Sequence, residues 1–342
     1  MSALDHIAAG RRRRQRRRGA ILGTLALLLL AGIALALIVG QSVTPPAQVW
    51  RVLLGEEVRG ASFTVGQLRL PRAVVGALAG LCFGMGGAAF QIMLRNPLAS
   101  PDIIGISAGA SAAAVFAIVL LGLRGPAVSL IAVAAGLGVA LLIWALAWRH
   151  GAAGTRLVLV GIGMAAMLDS FIAWVLSRAP SWTLQEAMRW LTGSLNGAQM
   201  AQAGPLLAAL LLFGGALLLR ARDLEALRLG DDAASALGTR VGHTRLVVMI
   251  CAVGLIAVAT AITGPIAFVA FLAGPIAARM PGHSGSALVP AALVGAVLVL
   301  LGDFAGQFLL PARYPVGVVT GALGAPFLLW LIIRANRTGG TL

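Results

Sequence analysis

No lysine occurs anywhere in this 342-residue chain; its 26 basic side chains are all arginine. Without lysine there is no phosphate-loop motif, no Schiff-base amine and no lysine general base. Any ATP used must therefore be hydrolysed on another chain. Acids are scarce too, 11 in all, and only Asp169 and Asp303 fall within apolar runs. An ion-coupled secondary transporter would need several such acids to hold its coupling ion. The two cysteines, Cys82 and Cys251, sit singly in apolar runs, and the four histidines are scattered. Neither type forms a metal-ligating cluster, and the cysteines read as small apolar side chains packed between helices. No grouping of His, Cys, Asp or Ser has catalytic spacing, so a polytopic membrane enzyme is unsupported.

What the chain has instead is apolar length. Hydrophobic residues make up 59% of it and charged residues 11%, against about 25% charged in an ordinary soluble domain. The apolar runs are continuous rather than alternating, which points to helices and not to a β-barrel. At roughly 20 residues per crossing they suffice for about ten transmembrane helices. The fold class expected is all-α, a polytopic membrane protein.

Residues 1–18 end in RRRRQRRR, a solvated basic arm suited to anionic lipid headgroups. The first span, 20–40, is longer than the core of a cleaved signal peptide. Residues 41–68, with Pro45-Pro46 and Glu56-Glu57, read as an external loop. Further spans are expected over 70–93, 102–121, 127–148, 157–177, 203–220, 245–264, 266–279, 287–308 and 317–334. The span 266–279 is short and flanked or broken by Pro265 and Pro275, as in re-entrant or tilted helices beside a pathway. An even number of spans puts both termini on one side. With the termini inside, eighteen arginines face the cytoplasm and eight face out, as the positive-inside rule requires. The net charge of +15 is thus a topology signal rather than a nucleic-acid footprint. The domain organisation expected is the arm 1–18, a transmembrane permease domain 19–336 and a cytoplasmic tail 337–342.

Two segments carry the most chemistry. Between Leu68 and Ala110, Arg69 and Arg72 precede an apolar run that ends at the polar hinge Arg95-Asn96-Pro97. Within that run Gly76, Gly80, Gly84 and Gly87 allow helix backbones to approach closely in lipid. The second segment, 221–244, is a long polar insertion between two spans. Asp223 opens a helix-compatible run, Gly230 breaks it, Asp231 can cap a second short helix, and AASAL carries that helix to Gly238. Two short helices joined at a glycine make an interaction surface.

Five stretches then match, in order, the FecCD and cobalamin type of ABC importer permease, which carries iron–siderophore complexes, haem and cobalamin. They are LRLPR (68–72), RNPLASPDIIGISAGA (95–110), LxLGDDAASALG (227–238), GPIAFVAFLAGPIAAR (264–279) and GD…YPVGVVTGALGAPFLLWLI (302–332). The chain resembles that family over nearly all of its length beyond the first span.

The resemblance implies a ten-helix type II importer permease in the cytoplasmic (inner) membrane, with both ends inside. Its implied partners are a second permease subunit (identical or homologous), two cytoplasmic ATPases that hold ATP and magnesium, and an extracytoplasmic binding protein. It implies no cofactor bound directly and no catalytic residues. Asp223, Leu227, Leu229, Gly230, Asp231, Asp232, Ala234, Leu237 and Gly238 would couple to the ATPase. Arg69 and Arg72 would dock acids of the binding protein. Gln307, Tyr314 and Ile276 depart from the family pattern, and Arg313 is the candidate to supply the missing charge. Asp169, with Met164 and Met167, would lie on the pathway formed by 157–177 and the last span. Asn96, Pro97, Pro275, Asp303, Pro315 and Gly317 would be structural. Residues 264–270 and Ile276 favour ferric siderophore as cargo over haem or cobalamin.

Overall fold

The computed structural model describes residues 3–100, 105–147, 154–280 and 285–337. The first residues of the span expected over 102–121, the end of that over 127–148, Arg149 and most of the tail 337–342 lie outside the described residues. Among the described residues there are fourteen helices and no strand. In chain order they are α1 (Ala3–Ile38), α2 (Pro46–Leu53), α3 (Ser62–Leu94), α4 (Ile106–Val119), α5 (Pro126–Ala147), α6 (Gly154–Ser177) and α7 (Ser181–Leu191). Then follow α8 (Met200–Leu219), α9 (Ala221–Leu227), α10 (Asp231–Ala236), α11 (Val241–Thr263), α12 (Val269–Arg279), α13 (Leu288–Phe308) and α14 (Val316–Arg337).

Seven helices, α1, α3, α5, α6, α8, α11 and α13, are long and apolar enough to cross a membrane. Three shorter apolar stretches, α4, α12 and Val316–Trp330 of α14, accompany them. At 1.5 Å per residue the 11-residue α12 spans about 17 Å, well short of a hydrocarbon core of about 30 Å. It begins after an irregular turn in which Gly264 (φ 71°) and Phe268 (φ 64°) take left-handed conformations.

The basic arm is helical and continuous with the first span: α1 runs through both without a break, a single helix of 36 residues. The external loop expected to reach residue 68 ends earlier, because Ser62–Arg69 already forms wide π-type turns that lead into α3. Pro71, at the start of the regular part, has no N–H to close an α turn and its ring crowds the preceding one, and the wider turns absorb both effects.

The bundle is built around α3. Its most apolar window is 83% buried inside the subunit, whereas that of α6 is 11% buried. A methyl group on Gly80 or Gly84 would run into the backbone of α13 at Ala296 and Ala291, and one on Gly87 into Ala270 of α12. The glycines therefore set how near three helix axes lie, the use that lipid-embedded packing makes of small residues. At its end α3 closes on Arg95 in the left-handed conformation (φ 53°). The Asn96 N–H bonds to Gln91 O, and Asn96 Oδ1 accepts from the Leu98 N–H at 2.8 Å, which makes the hinge a defined turn. Buried Gln91 fixes that turn to α12: its Nε2 donates to Pro97 O at 3.0 Å and to Phe271 O at 2.9 Å.

Candidate functional site

At one end of the bundle a cleft of about 410 Å3 opens between α1, α3 and α13. It gathers Arg69, Arg72, Arg313, Asp303 and Gln307, residues scattered over more than two hundred positions of sequence. Arg72 forks onto Asp303 through Nε and Nη2 at 2.6 and 2.7 Å, and its Nη1 donates to Asn196 Oδ1 at 2.7 Å. Arg69 closes the end of α1, where its Nη1 donates to Leu37 O, Ile38 O and Thr44 Oγ1 and its Nη2 to Ser42 O. Both side chains expected to reach outward are thus spent largely within the subunit. Among the described residues two polar groups in the cleft have no partner: Arg313, which is exposed, and the Gln307 Nε2, which is buried.

Close by, α14 is pinned at its start. The Gly317 N–H donates to Gly193 O at 3.1 Å and the Tyr314 N–H to Gly306 O at 2.9 Å. Any side chain at Gly317 would meet the Thr192 carbonyl. Pro315 O receives the Val318 N–H in the first turn.

At the opposite end, α9 and α10 form a compact pair joined at Gly230, whose φ of 106° only glycine adopts readily. The expected capping role of Asp231 is not what the structure gives it. Gly230 occupies the cap position, and Asp231 Oδ1 accepts from Arg245 Nη2 of α11 at 2.8 Å, with Arg95 at 3.6 Å. A charge-assisted bond to a packed helix outweighs a local cap on a six-residue helix. Leu224, Leu227 and Ala234 are fully buried against the bundle. Leu227 and Ala234 therefore anchor the pair from inside the subunit. Leu229 and Leu237 are each 67% exposed and face outward, with exposed Asp232 and Gly238 (φ 86°) beside them. Asp223 accepts from Arg220 at 3.1 Å and braces the first turn of α9.

Along α6 the three pathway candidates do not share a face. Residues two apart on a helix diverge by about 200°, so Met167 and Asp169 point to opposite flanks. Met164 packs towards the core, Met167 lies on the flank of Phe171 and Trp174, and Asp169 is exposed on the other flank without a partner among the described residues. The residues that sequence reasoning missed are Asn196, Gln91 and Arg245, each a partner to one that it found. Only Gln91 carried a visible signal, as an amide within an apolar span.

A buried axial helix, a rigid short-helix pair at one end and a polar cleft at the other define a helix-bundle membrane subunit with the build of a transport permease. The model of the FecCD transport family matches residues 28–334. The ferric enterobactin permease FepG of Escherichia coli (strain K12) is 42% identical, covering 85% of this chain and 88% of its own. The achromobactin permease CbrC of Dickeya dadantii is 40% identical over 92% of this chain and 91% of its own. A solved chain described as a metal-chelate type ABC transporter in an inward-facing conformation superposes with a TM-score of 0.82. It is 24% identical and covers 92% of this chain and 99% of the other. The chain belongs to the FecCD transport family, as a multi-pass protein of the cytoplasmic membrane.

Proposed function

We propose that this chain is the membrane-spanning permease subunit of an ATP-driven importer and that its cargo is a ferric siderophore. The observation that carries the reading is the build of the α9–α10 pair. Buried leucines and the Asp231–Arg245 ion pair lock it to α11, while Leu229 and Leu237 stand out from it. A rigid pair can pass a nucleotide-driven movement of a partner into the bundle as a rigid-body shift; a floppy loop would absorb it. The partner implied is a pair of ATPase subunits, since this chain has no lysine for a phosphate loop.

The cleft at the other end is the docking place for a capture protein. Exposed Arg313 offers donors there that no described residue takes up, and Arg72 supplies a rigid wall. Face-to-face pairing of two permease subunits would cover the exposed flank of α6 and line a passage with α6 and α14. Such a gate does no covalent chemistry and binds free cargo weakly, so that cargo is released. Ferric siderophore is favoured because the two relatives above are named for siderophores.

Reconstitution in liposomes tests this. The complex that co-purifies with the chain should take up ferric siderophore only with ATP and capture protein present. Uptake by the chain alone, without nucleotide, overturns the reading.

A further inference from the structure

A second cavity, of about 310 Å3, lies at the α9–α10 end between α3, α12 and the hinge at Asn96-Pro97. Arg95, Arg228 and Arg279 line it, and among the described residues no acid does. They come from three separate elements: the cap of α3, the link after α9 and the last turn of α12. Their present commitments are few. Arg279 Nη1 donates to Pro275 O at 3.2 Å, and Arg228 Nη1 to Glu225 at 3.0 Å. Arg95 makes an ion pair with Asp231 at 3.6 Å, longer than a hydrogen bond, on the oxygen that also accepts from Arg245. A guanidinium carries five N–H donors in a fixed fork, so most of the donor capacity around this cavity has no acceptor among the described residues.

Three guanidiniums share this lining with only part of their charge and few of their donors taken up by Glu225 and by an Asp231 already shared with Arg245, and an added anion can use the rest. Arginine forks suit the oxygens of a phosphate group best. Gln91 and Asn96 also line the cavity, and an apolar wall is made by buried Ala88 and Ala287 with Ile92 and exposed Ala278. A fourth arginine, Arg18 of α1, reaches Ser286 O at 3.5 Å, one residue from that wall.

We propose that this cavity is a phosphate-binding site, with the arginines holding the phosphate oxygens. The phosphate arrives on an anionic phospholipid headgroup or as inorganic phosphate; the apolar wall, which free phosphate cannot use, has room for the start of an acyl chain. Because Arg95 also lies beside Gly230, the occupied site ties the short-helix pair to the hinge of α3 and to α12.

The full chain, purified in neutral detergent, is mixed with phosphatidylglycerol, with phosphatidylcholine or with inorganic phosphate. Retained lipid is read by native mass spectrometry and stability by the unfolding midpoint. Phosphatidylglycerol should be retained in preference to phosphatidylcholine and should raise the midpoint. Arg95→Gln with Arg279→Gln should weaken its binding roughly tenfold or more, as expected when charged hydrogen bonds are lost. Arg189→Gln, on exposed α7, should leave binding unchanged. Equal protection by millimolar inorganic phosphate supports the site and identifies free phosphate as the source. If the glutamine pair does not accumulate, Arg95→Lys with Arg279→Lys keeps the charge but loses the fork, and its phosphatidylglycerol affinity should still fall several-fold. Equal retention of both lipids with no response to phosphate overturns the proposal. So does unchanged phosphatidylglycerol binding in the variants; if an ATPase partner is lost at the same time, the arginines serve a protein carboxylate instead. Neither readout depends on transport, so the outcome is separate from the cargo assignment.

Discussion

Arg72 and Asp303 lie 231 positions apart in sequence, yet they meet in a two-pronged ion pair of 2.6 and 2.7 Å that joins α3 to α13. The Asp303 side chain is 11% exposed and that of Arg72 23%. An isolated carboxylate at that depth would be costly, and the arginine neutralises it while Asn196 takes one of the remaining N–H groups.

Breaking this pair from one side should therefore cost far more than breaking it from both. Arg72→Gln leaves the Asp303 charge buried and is expected to lower stability by about 3 kcal/mol, the low end for a partly open pair. Arg72→Leu with Asp303→Leu should recover most of that loss. Heating the detergent-solubilised variants and following the monodisperse fraction by size exclusion checks both. Equal losses in single and double variants would show that the charge is not what matters.

The α9–α10 pair makes a second, spatially divided prediction. Leu229→Asp and Leu237→Asp change only exposed side chains, so the subunit should melt as before while recovery of co-purified ATPase drops at least several-fold. Leu227→Asp places a charge in the buried anchor and should prevent accumulation of folded subunit. A pull-down paired with a melting curve separates the two. Loss of ATPase only in the anchor variant would remove the outward leucines from the interface.

Close helix approach supplies a third. Gly84→Val puts a branched side chain against the Ala291 backbone, where no rotamer escapes it. The cost should reach or exceed the roughly 1–3 kcal/mol typical of overpacking. Gly138→Val, on α5 with open space around it, should be close to neutral by the same melting measurement.

These residues also mark what the sequence could and could not tell. The end of α3 was legible because the polar hinge Arg95-Asn96-Pro97 closes an apolar run. The α9–α10 pair was legible because a long polar insertion with glycine breaks is conspicuous among short connections. The roles of individual charges were not, since they depend on contacts from distant positions. Arg72 reads as outward-facing until α13 brings Asp303 beside it, and Asp231 reads as a cap until Arg245 competes for its oxygen. Local pattern also hid α7, an 11-residue helix behind Pro180 with too few turns to show periodicity. The early start of α3 was hidden by its π turns, which follow neither helical nor loop spacing.

Asp169 offers the sharpest test of how α6 is used. Its carboxylate is exposed on a flank that nothing in the subunit covers, in a helix apolar enough to span the membrane. Facing hydrocarbon, it would cost about 2.5 kcal/mol or more, which argues for water or a polar neighbour on that flank. Cysteine labelling distinguishes these surroundings, because a maleimide reacts with the thiolate, which forms only in contact with water. The native Cys82 and Cys251 are buried and give a silent background. Asp169→Cys in membranes should label readily with a charged maleimide, whereas Leu130→Cys, on the 72% exposed Leu130 site of α5, should stay unlabelled in lipid. Adding the ATPase and capture protein should change the labelling rate at 169 several-fold if the flank lines the passage. Equal, slow labelling at both positions would place Asp169 against lipid and move the passage elsewhere.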